Sequence, residues 1–194
     1  MALMELWLAS NNRGKLIEFK TLLPTLDIHA QNELPVYSAP VENGKTFEDN
    51  ARIKARSLKS VKTGVWVVGE DSGLEVSGLN NFPGIYSARY AGDHASDAEN
   101  VAKLLKMLNL RSPHNRAARF VCTIVAYSPE GQEFVMTGTF DGQISEKVRG
   151  NAGFGYDPIF IPNNETQTLA ELGITRKNQI SHRAAAIRKL AELF

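Results

Sequence analysis

Two carboxylates in succession, Glu70 and Asp71, followed by Ser72 and Gly73, come straight after the apolar run Val65-Trp66-Val67-Val68-Gly69. Adjacent carboxylates repel, which costs stability unless a cation or a basic partner offsets it. Oxygen donors without a Cys or His cluster suit magnesium or manganese, and magnesium commonly sits between carboxylates and substrate phosphates. A solvated acidic turn is the plainer alternative. A second group, Ser10-Asn11-Asn12-Arg13-Gly14-Lys15, lies between a short apolar run and a helical pattern. Free backbone N–H groups and the positive end of a helix favour an anion there. Ser10 and Asn12 can add donors, and Lys15 can reach a phosphate as a point charge. An ordinary capped loop explains the same residues, and the glycine spacing is not that of a P-loop.

Three further groups have chemical potential. Glu42-Asn43-Gly44 precedes a helix that carries Glu48, Asp49 and Lys54. Glu48 and Asp49 need only complement the helix dipole, and Lys54 reads either as a solvated helix lysine or as one facing a cleft. In Gly150-Asn151-Ala152-Gly153-Phe154-Gly155-Tyr156-Asp157-Pro158, glycines flank an aromatic ring. They let backbone approach a ligand closely, and a ring beside Asp157 suits a planar base. A glycine-rich turn with a core phenylalanine is the alternative. Finally, Arg176-Lys177 is followed by Ser181-His182-Arg183 at the start of a helix. A base at that helix end is electrostatically mismatched unless an anion or a polarised carbonyl sits opposite. His182 also reads as a capping or core histidine, and His29, His94 and His114 are too scattered to suggest a metal site.

An alternation of strands and helices must hold these groups. Residues 3–9 read as a strand, and Leu16, Phe19 and Leu23 mark a helix that Pro24 closes. Thr46 is an N-cap for a helix burying Phe47, Ala51, Ala55 and Leu58, with Lys54, Arg56 and Lys59 directed elsewhere. The run 65–69 is a buried strand leading into Glu70. Residues 80–84 are turn chemistry, and Ser96 with Glu99 forms a capping box for a helix facing inward through Val101, Leu104, Leu105 and Leu108. Residues 119–127 and 133–140 read as a hairpin about Ser128-Pro129-Glu130-Gly131-Gln132. Thr168 and Glu171 form another capping box, closed by Gly173. The last helix starts near Ser181 and buries Ala184, Ile187, Ala191 and Phe194. The expected class is α/β with a mixed sheet bent into two lobes, in one domain spanning residues 1–194.

Composition narrows the function classes. The chain has 194 residues and a formal charge of +1, so no global field draws it to nucleic acid or an anionic membrane. One cysteine excludes an intramolecular disulfide framework and a multi-cysteine metal site. Cys122, within Phe120-Val121-Cys122-Thr123-Ile124-Val125, reads as a buried inert thiol. No stretch approaches the roughly 20 apolar residues of a membrane span. Met1 to Leu6 lacks the basic region and cleavage site of a signal peptide, which points to a cytoplasmic protein. Phosphate donors, a divalent-metal carboxylate group and a base platform together form the parts of an enzyme acting on a nucleoside phosphate.

These residues also carry a resemblance. Ser10-Asn11-Asn12-Arg13-Gly14-Lys15 resembles the [Ser/Thr]-x-Asn-x-x-Lys signature of the inosine triphosphate pyrophosphatase (Ham1-like) family. Matches continue in order through Gly44-x-Thr46-Phe47, Asn50-Ala51, Lys54-Ala55 and Glu70-Asp71-Ser72-Gly73-Leu74. They then run through Pro83-Gly84-Ile85-Tyr86-Ser87-Ala88-Arg89-Tyr90, Gly153-Phe154-Gly155-Tyr156-Asp157-Pro158 and Ser181-His182-Arg183. The resemblance implies magnesium-dependent hydrolysis of ITP, dITP or XTP to the monophosphate and pyrophosphate, by a homodimer whose long mixed sheet forms two lobes around a central cleft. It implies triphosphate contacts at Ser10, Asn11, Asn12, Arg13, Gly14 and Lys15. Asp71 is then the general base and a magnesium ligand, with Glu42 and Glu70 in the same acidic cluster. Lys54 and Ser72 become substrate contacts. Phe154, Gly155, Tyr156 and Asp157 become the base pocket, Lys177 a further contact, and His182 and Arg183 readers of the purine edge. Where the family often has two acidic residues before the glycine, this chain has Val41-Glu42-Asn43. Met1 to Met4 look like a marginal extension. Two other readings stay open: a related pyrophosphatase for other modified nucleotides, and a non-catalytic nucleotide sensor.

Overall fold

The structure, a computed structural model, describes residues 3–194, so the reading of Met1 and Ala2 as part of an extension or a non-signal start lies outside the described residues. Strand β1 (Met4–Leu8) pairs in parallel with β2 (Leu26–Ala30) on one side and with β3 (Trp66–Val76) on the other. The sheet continues through β4 (Ala117–Tyr127), β5 (Glu133–Ile144) and β6 (Phe160–Pro162), the last antiparallel to β5. With helices α1 (Arg13–Leu22), α2 (Phe47–Lys59), α3 (Asp97–Arg111), α4 (Leu169–Ile180) and α5 (His182–Ala191), this is the expected mixed α/β class.

The chain divides into two compact units. One takes in the chain up to Asp71 together with Cys122–Gly138 and Arg183–Phe194; the other comprises Ser72–Val121 and Thr139–His182. The first is built on Leu6, Leu8, Phe19, Val68, Ile124, Ile187 and Leu190. The second packs Leu74, Val76, Leu104, Leu108, Phe120 and Phe160.

Local chemistry sets the helix starts. Thr46 Oγ1 accepts from Asp49 N at 3.0 Å while the Asp49 carboxylate accepts from Thr46 N at 3.1 Å, the reciprocal pairing that fixes a first turn. The capping boxes at Ser96 and Thr168 form as expected. No helix among the described residues is long and apolar enough to cross a membrane.

The structure departs from the sequence expectations at four places. Glu70 to Gly73 do not form a turn: β3 runs on through them to Val76, so both carboxylates stand inside a strand. Gly173 does break α4, with φ +79°, but a second helical segment follows it to Ile180. Helix α5 buries Ala186 and Leu190 where Ala191 and Phe194 were expected, because it ends at Ala191 and leaves both of those residues exposed. Lys54 is buried, because residues 47, 50, 51, 54, 55 and 58 all fall on the inward stripe of α2.

The contact between β3 and α2 depends on Gly69. A Cβ added there would lie 2.1 Å from the Ala51 carbonyl oxygen and 2.6 Å from Ala55 N, both backbone atoms that cannot swing aside. Strand and helix therefore approach backbone to backbone one residue before the acidic pair. Gly69→Ala is expected to force them apart and lower the unfolding free energy by about 1–3 kcal/mol; urea unfolding measures it, and an unchanged midpoint would show the helix to be free to yield.

Candidate active site

Successive residues of a strand point to opposite faces, and this separates the two carboxylates. Trp66 and Val68 pack with α1 and α5 in one cluster. Val67 packs with Leu58, and Gly69 meets Ala51 and Ala55, all on α2. The alternation therefore sends Glu70 toward α1 and α5, and Asp71 toward α2.

Glu70 is fully buried, and cations from two helices meet it. Lys15 Nζ lies 2.5 Å from its Oε2, and Arg183 donates to its Oε1 through Nη2 at 3.1 Å and Nε at 3.3 Å. Arg183 also holds Glu18 of α1, Nη1 to Oε2 at 2.5 Å. The Cys122 thiol donates to Glu70 Oε1 at 3.2 Å. Burial acts to raise the Glu70 carboxyl, but Lys15 and Arg183 outweigh it and hold the group well below the ordinary glutamate range. Burial first, and then the Glu70 charge, push the Cys122 thiol far up, which makes it the inert thiol expected. The anions opposite the mismatched first turn of α5 are thus the chain's own Glu18 and Glu70.

On the other face, Lys54 Nζ bridges Asp71 Oδ1 at 2.9 Å and Glu42 Oε2 at 3.1 Å. Asn50, four residues earlier on α2, donates from Nδ2 to Asp71 Oδ2 at 3.3 Å and accepts from Gly44 N at 2.9 Å through Oδ1. One amide therefore ties the loop carrying Glu42 to the strand carrying Asp71. Burial pushes the Asp71 carboxyl above the ordinary aspartate range, against the pull of Lys54 and Lys15. Burial also acts to discharge Lys54, but Asp71, Glu42 and Glu70 keep its ammonium above the ordinary lysine range. Neighbouring carboxylates are thereby driven in opposite directions, Glu70 below its ordinary range by two cations and Asp71 above its own by burial, a divergence that clusters at functional sites.

The remaining phosphate-loop residues serve the start of α1. Asn12 Oδ1 accepts from Lys15 N at 3.0 Å as the helix cap, and Ser10 Oγ accepts from Asn12 N at 3.1 Å. Asn11 and Arg13 are exposed, and Gly14 is half-buried.

In the second unit, Lys177 Nζ lies 2.6 Å from Asp157 Oδ2 and 4.1 Å from the centre of the Phe154 ring. The same Asp157 oxygen accepts from Phe154 N at 3.0 Å. Gly153 has φ +81°, and a Cβ there would come within 2.1 Å of that oxygen, so only glycine fits. Gly155 N donates to Asp97 Oδ2 at 2.6 Å, and the buried Tyr156 hydroxyl donates to Ser87 O at 2.8 Å. His182 stacks on Phe120, with centroids 4.6 Å apart and planes 8° from parallel. Ser72 follows Asp71 on β3 and is half-buried.

The residues expected to hold metal do not all converge. Strand alternation sends Glu70 to the face opposite Asp71, and no three His, Cys, Asp or Glu side chains among the described residues could hold an ion by themselves. The pair that remains, Glu42 and Asp71, is an all-oxygen donor set, which fits magnesium when phosphate and water complete its shell. Sequence reasoning missed Glu18 and left Asn50 without a role. The spacing carried a signal for both: each is a polar residue on the buried stripe of its helix, three positions from Lys15 and four from Lys54.

Removing Arg183 leaves Glu18 and Glu70 buried without its charge. Arg183→Met is expected to lower the unfolding free energy by about 3–5 kcal/mol in urea. The folded pKa of Glu70 lies below its ordinary 4.5, so the stability it contributes is complete above that value and is lost as pH falls through the folded one. Urea midpoints measured from about pH 6 to about pH 3 should show an acid limb that Glu70→Gln diminishes; an identical limb in that variant would place its origin elsewhere.

Comparison with known proteins agrees with this architecture. The model of the Ham1 family matches residues 6–193. A dITP/XTP pyrophosphatase of Bdellovibrio bacteriovorus is 56% identical over 97% of this chain and 96% of its own length. Another from Bacillus licheniformis is 43% identical over 97% of both. Among solved structures, a Ham1 protein from Staphylococcus aureus is 42% identical, with a TM-score of 0.85 over 97% of both chains. One from Coxiella burnetii is 40% identical, with a TM-score of 0.86 over 98% of both. Similarity over essentially the full length, in sequence and in fold alike, establishes that the chain belongs to the Ham1 family.

Proposed function

We infer that the chain is a magnesium-dependent pyrophosphatase that hydrolyses the purine nucleoside triphosphates dITP, ITP and XTP to the monophosphate and pyrophosphate. The observation that carries this reading is the buried Asp71 carboxylate, raised above the ordinary aspartate range and held between Lys54 and Asn50, in a chain whose relatives are named dITP/XTP pyrophosphatases.

Magnesium would be held by Glu42 and Asp71 with phosphate oxygens of the substrate, and would supply charge neutralisation on the triphosphate. Asp71 orients or deprotonates a water for attack at the α-phosphorus. A carboxyl raised above its ordinary range is a stronger base than an exposed aspartate. Asn50 fixes which way that carboxylate faces. Lys15 and Lys54 steady the pyrophosphate as the α–β bond breaks, and the N-terminus of α1 beside Ser10 and Asn12 gives phosphate oxygens backbone donors. Glu70 stays ionised and positions Lys15.

Recognition of the base is assigned to the second unit. The Phe154 ring supplies stacking area, and Lys177, held by Asp157, supplies a donor beside it. Hypoxanthine and xanthine carry a 6-oxo acceptor where adenine carries an amino donor, so a donor-lined pocket leaves groups unpaired against ATP. The guanidinium of Arg183, expected at the purine edge, is bonded to Glu18 and Glu70 and links α5 to the acidic strand. The family resemblance also supports a cytoplasmic homodimer.

Asp71→Asn is expected to lower pyrophosphate release from dITP by about 100-fold or more with the thermal transition preserved; near-normal turnover would remove Asp71 from its role. With magnesium present, kcat/KM for dITP and XTP should exceed that for ATP by about 100-fold or more. Equal rates on ATP, or release undiminished by a magnesium chelator, would contradict the reading.

A further inference from the structure

The carboxylates of the first unit do not share one cation. Lys15 and Arg183 take Glu70 on one face of β3. On the other face a single ammonium, Lys54 Nζ, stands 3.1 Å from Glu42 Oε2 and 2.9 Å from Asp71 Oδ1, on a side chain only 11% exposed. The second oxygen of Asp71 is already bonded to Asn50. A divalent ion binding both carboxylates must therefore contend with a cation already bonded to each of them, and like charges a few ångströms apart in a half-buried site repel strongly.

We propose that Lys54 is the resident counter-cation of the Glu42–Asp71 pair and makes metal binding conditional on the triphosphate. In the free protein the ammonium holds the two carboxylates together. When the triphosphate arrives, its oxygens take over the ammonium, which frees Glu42 and Asp71, the residues that would hold the ion. The identity of the nucleotide rests on the pyrophosphatase reading; the bridge itself does not. The side chain suits the exchange. Its Cα is fixed in the middle of α2, while its four-carbon stem is flexible and its head is a point charge without directional demands. Asn50, anchored at its other end on Gly44, keeps Asp71 in position after the ammonium has left. One lysine thus does two jobs in sequence: it keeps stray ions out of the empty protein, then carries its charge to the phosphates.

The test is a titration of the nucleotide-free protein with manganese(II), the bound fraction read from the electron paramagnetic resonance signal of the free ion. Lys54→Met is expected to bind manganese at least tenfold more tightly than the wild type, and Lys54→Met/Asp71→Asn is expected to lose that gain. Lys54→Gln, with a polar uncharged head, should show the same tightening and serves where the methionine variant does not fold. Equal affinity in wild type and in both Lys54 variants overturns the proposal, as does a gain that survives Asp71→Asn. No nucleotide enters this titration, so its failure is separate from failure of the pyrophosphatase reading, which pyrophosphate release decides.

Discussion

Burying two neighbouring carboxylates in a β-strand is the constraint from which the rest of the first unit follows. An isolated ionised carboxylate is too costly to desolvate, and it must be met by cations in good geometry or give up its charge. Each carboxylate meets this demand differently. Glu70 is surrounded by Lys15 and Arg183, and stays charged in a site without solvent contact. Asp71 has one ammonium shared with Glu42 and one amide, and is left nearer to protonation. The difference in cation supply, produced by the two-residue period of the strand, leaves one carboxylate held below its ordinary range and its neighbour raised above its own.

That demand explains why so few elements suffice. β3 provides the two carboxylates, α1 provides Lys15 and Glu18, α2 provides Lys54 and Asn50, and α5 provides Arg183. Charges that pair within a core fix the registry of the elements bearing them, since a slip of one residue would leave a buried ion unpaired. The glycine at position 69 has the same effect by a different means: it removes the side chain that would hold α2 away from the strand.

Much of this was legible in the chain, and the failures have physical causes. The caps at Thr46, Ser96 and Thr168 were readable because a short oxygen-bearing residue followed three positions later by Glu or Asp has one strong local use. The amphipathic faces of α2 and α3 were readable because burial of apolar residues dominates their energetics. The polar residues within those faces were not: Lys54 and Arg183 look like surface cations when only side-chain polarity is weighed. What buries them is the presence of Glu42 and Asp71, or of Glu18 and Glu70, contacts as distant as 165 residues along the chain. The continuation of β3 through Glu70 was hidden for the same reason, since two acidic residues end a strand pattern unless their partners are already known. The second unit's Asp157 and Lys177 pair repeats this, a buried ion pair assembled from a single 3-10 turn and a kinked helix.

The account stands on ammonium groups held against carboxylates inside the first unit. Nitrogen-15 detected spectra of the lysine ammonium groups at neutral pH measure that directly. Lys54 and Lys15 should give resolved signals protected from exchange with water, and Asp71→Asn should abolish the protection of Lys54 while leaving that of Lys15. Signals from both lysines exchanging as fast as those on the surface would contradict it.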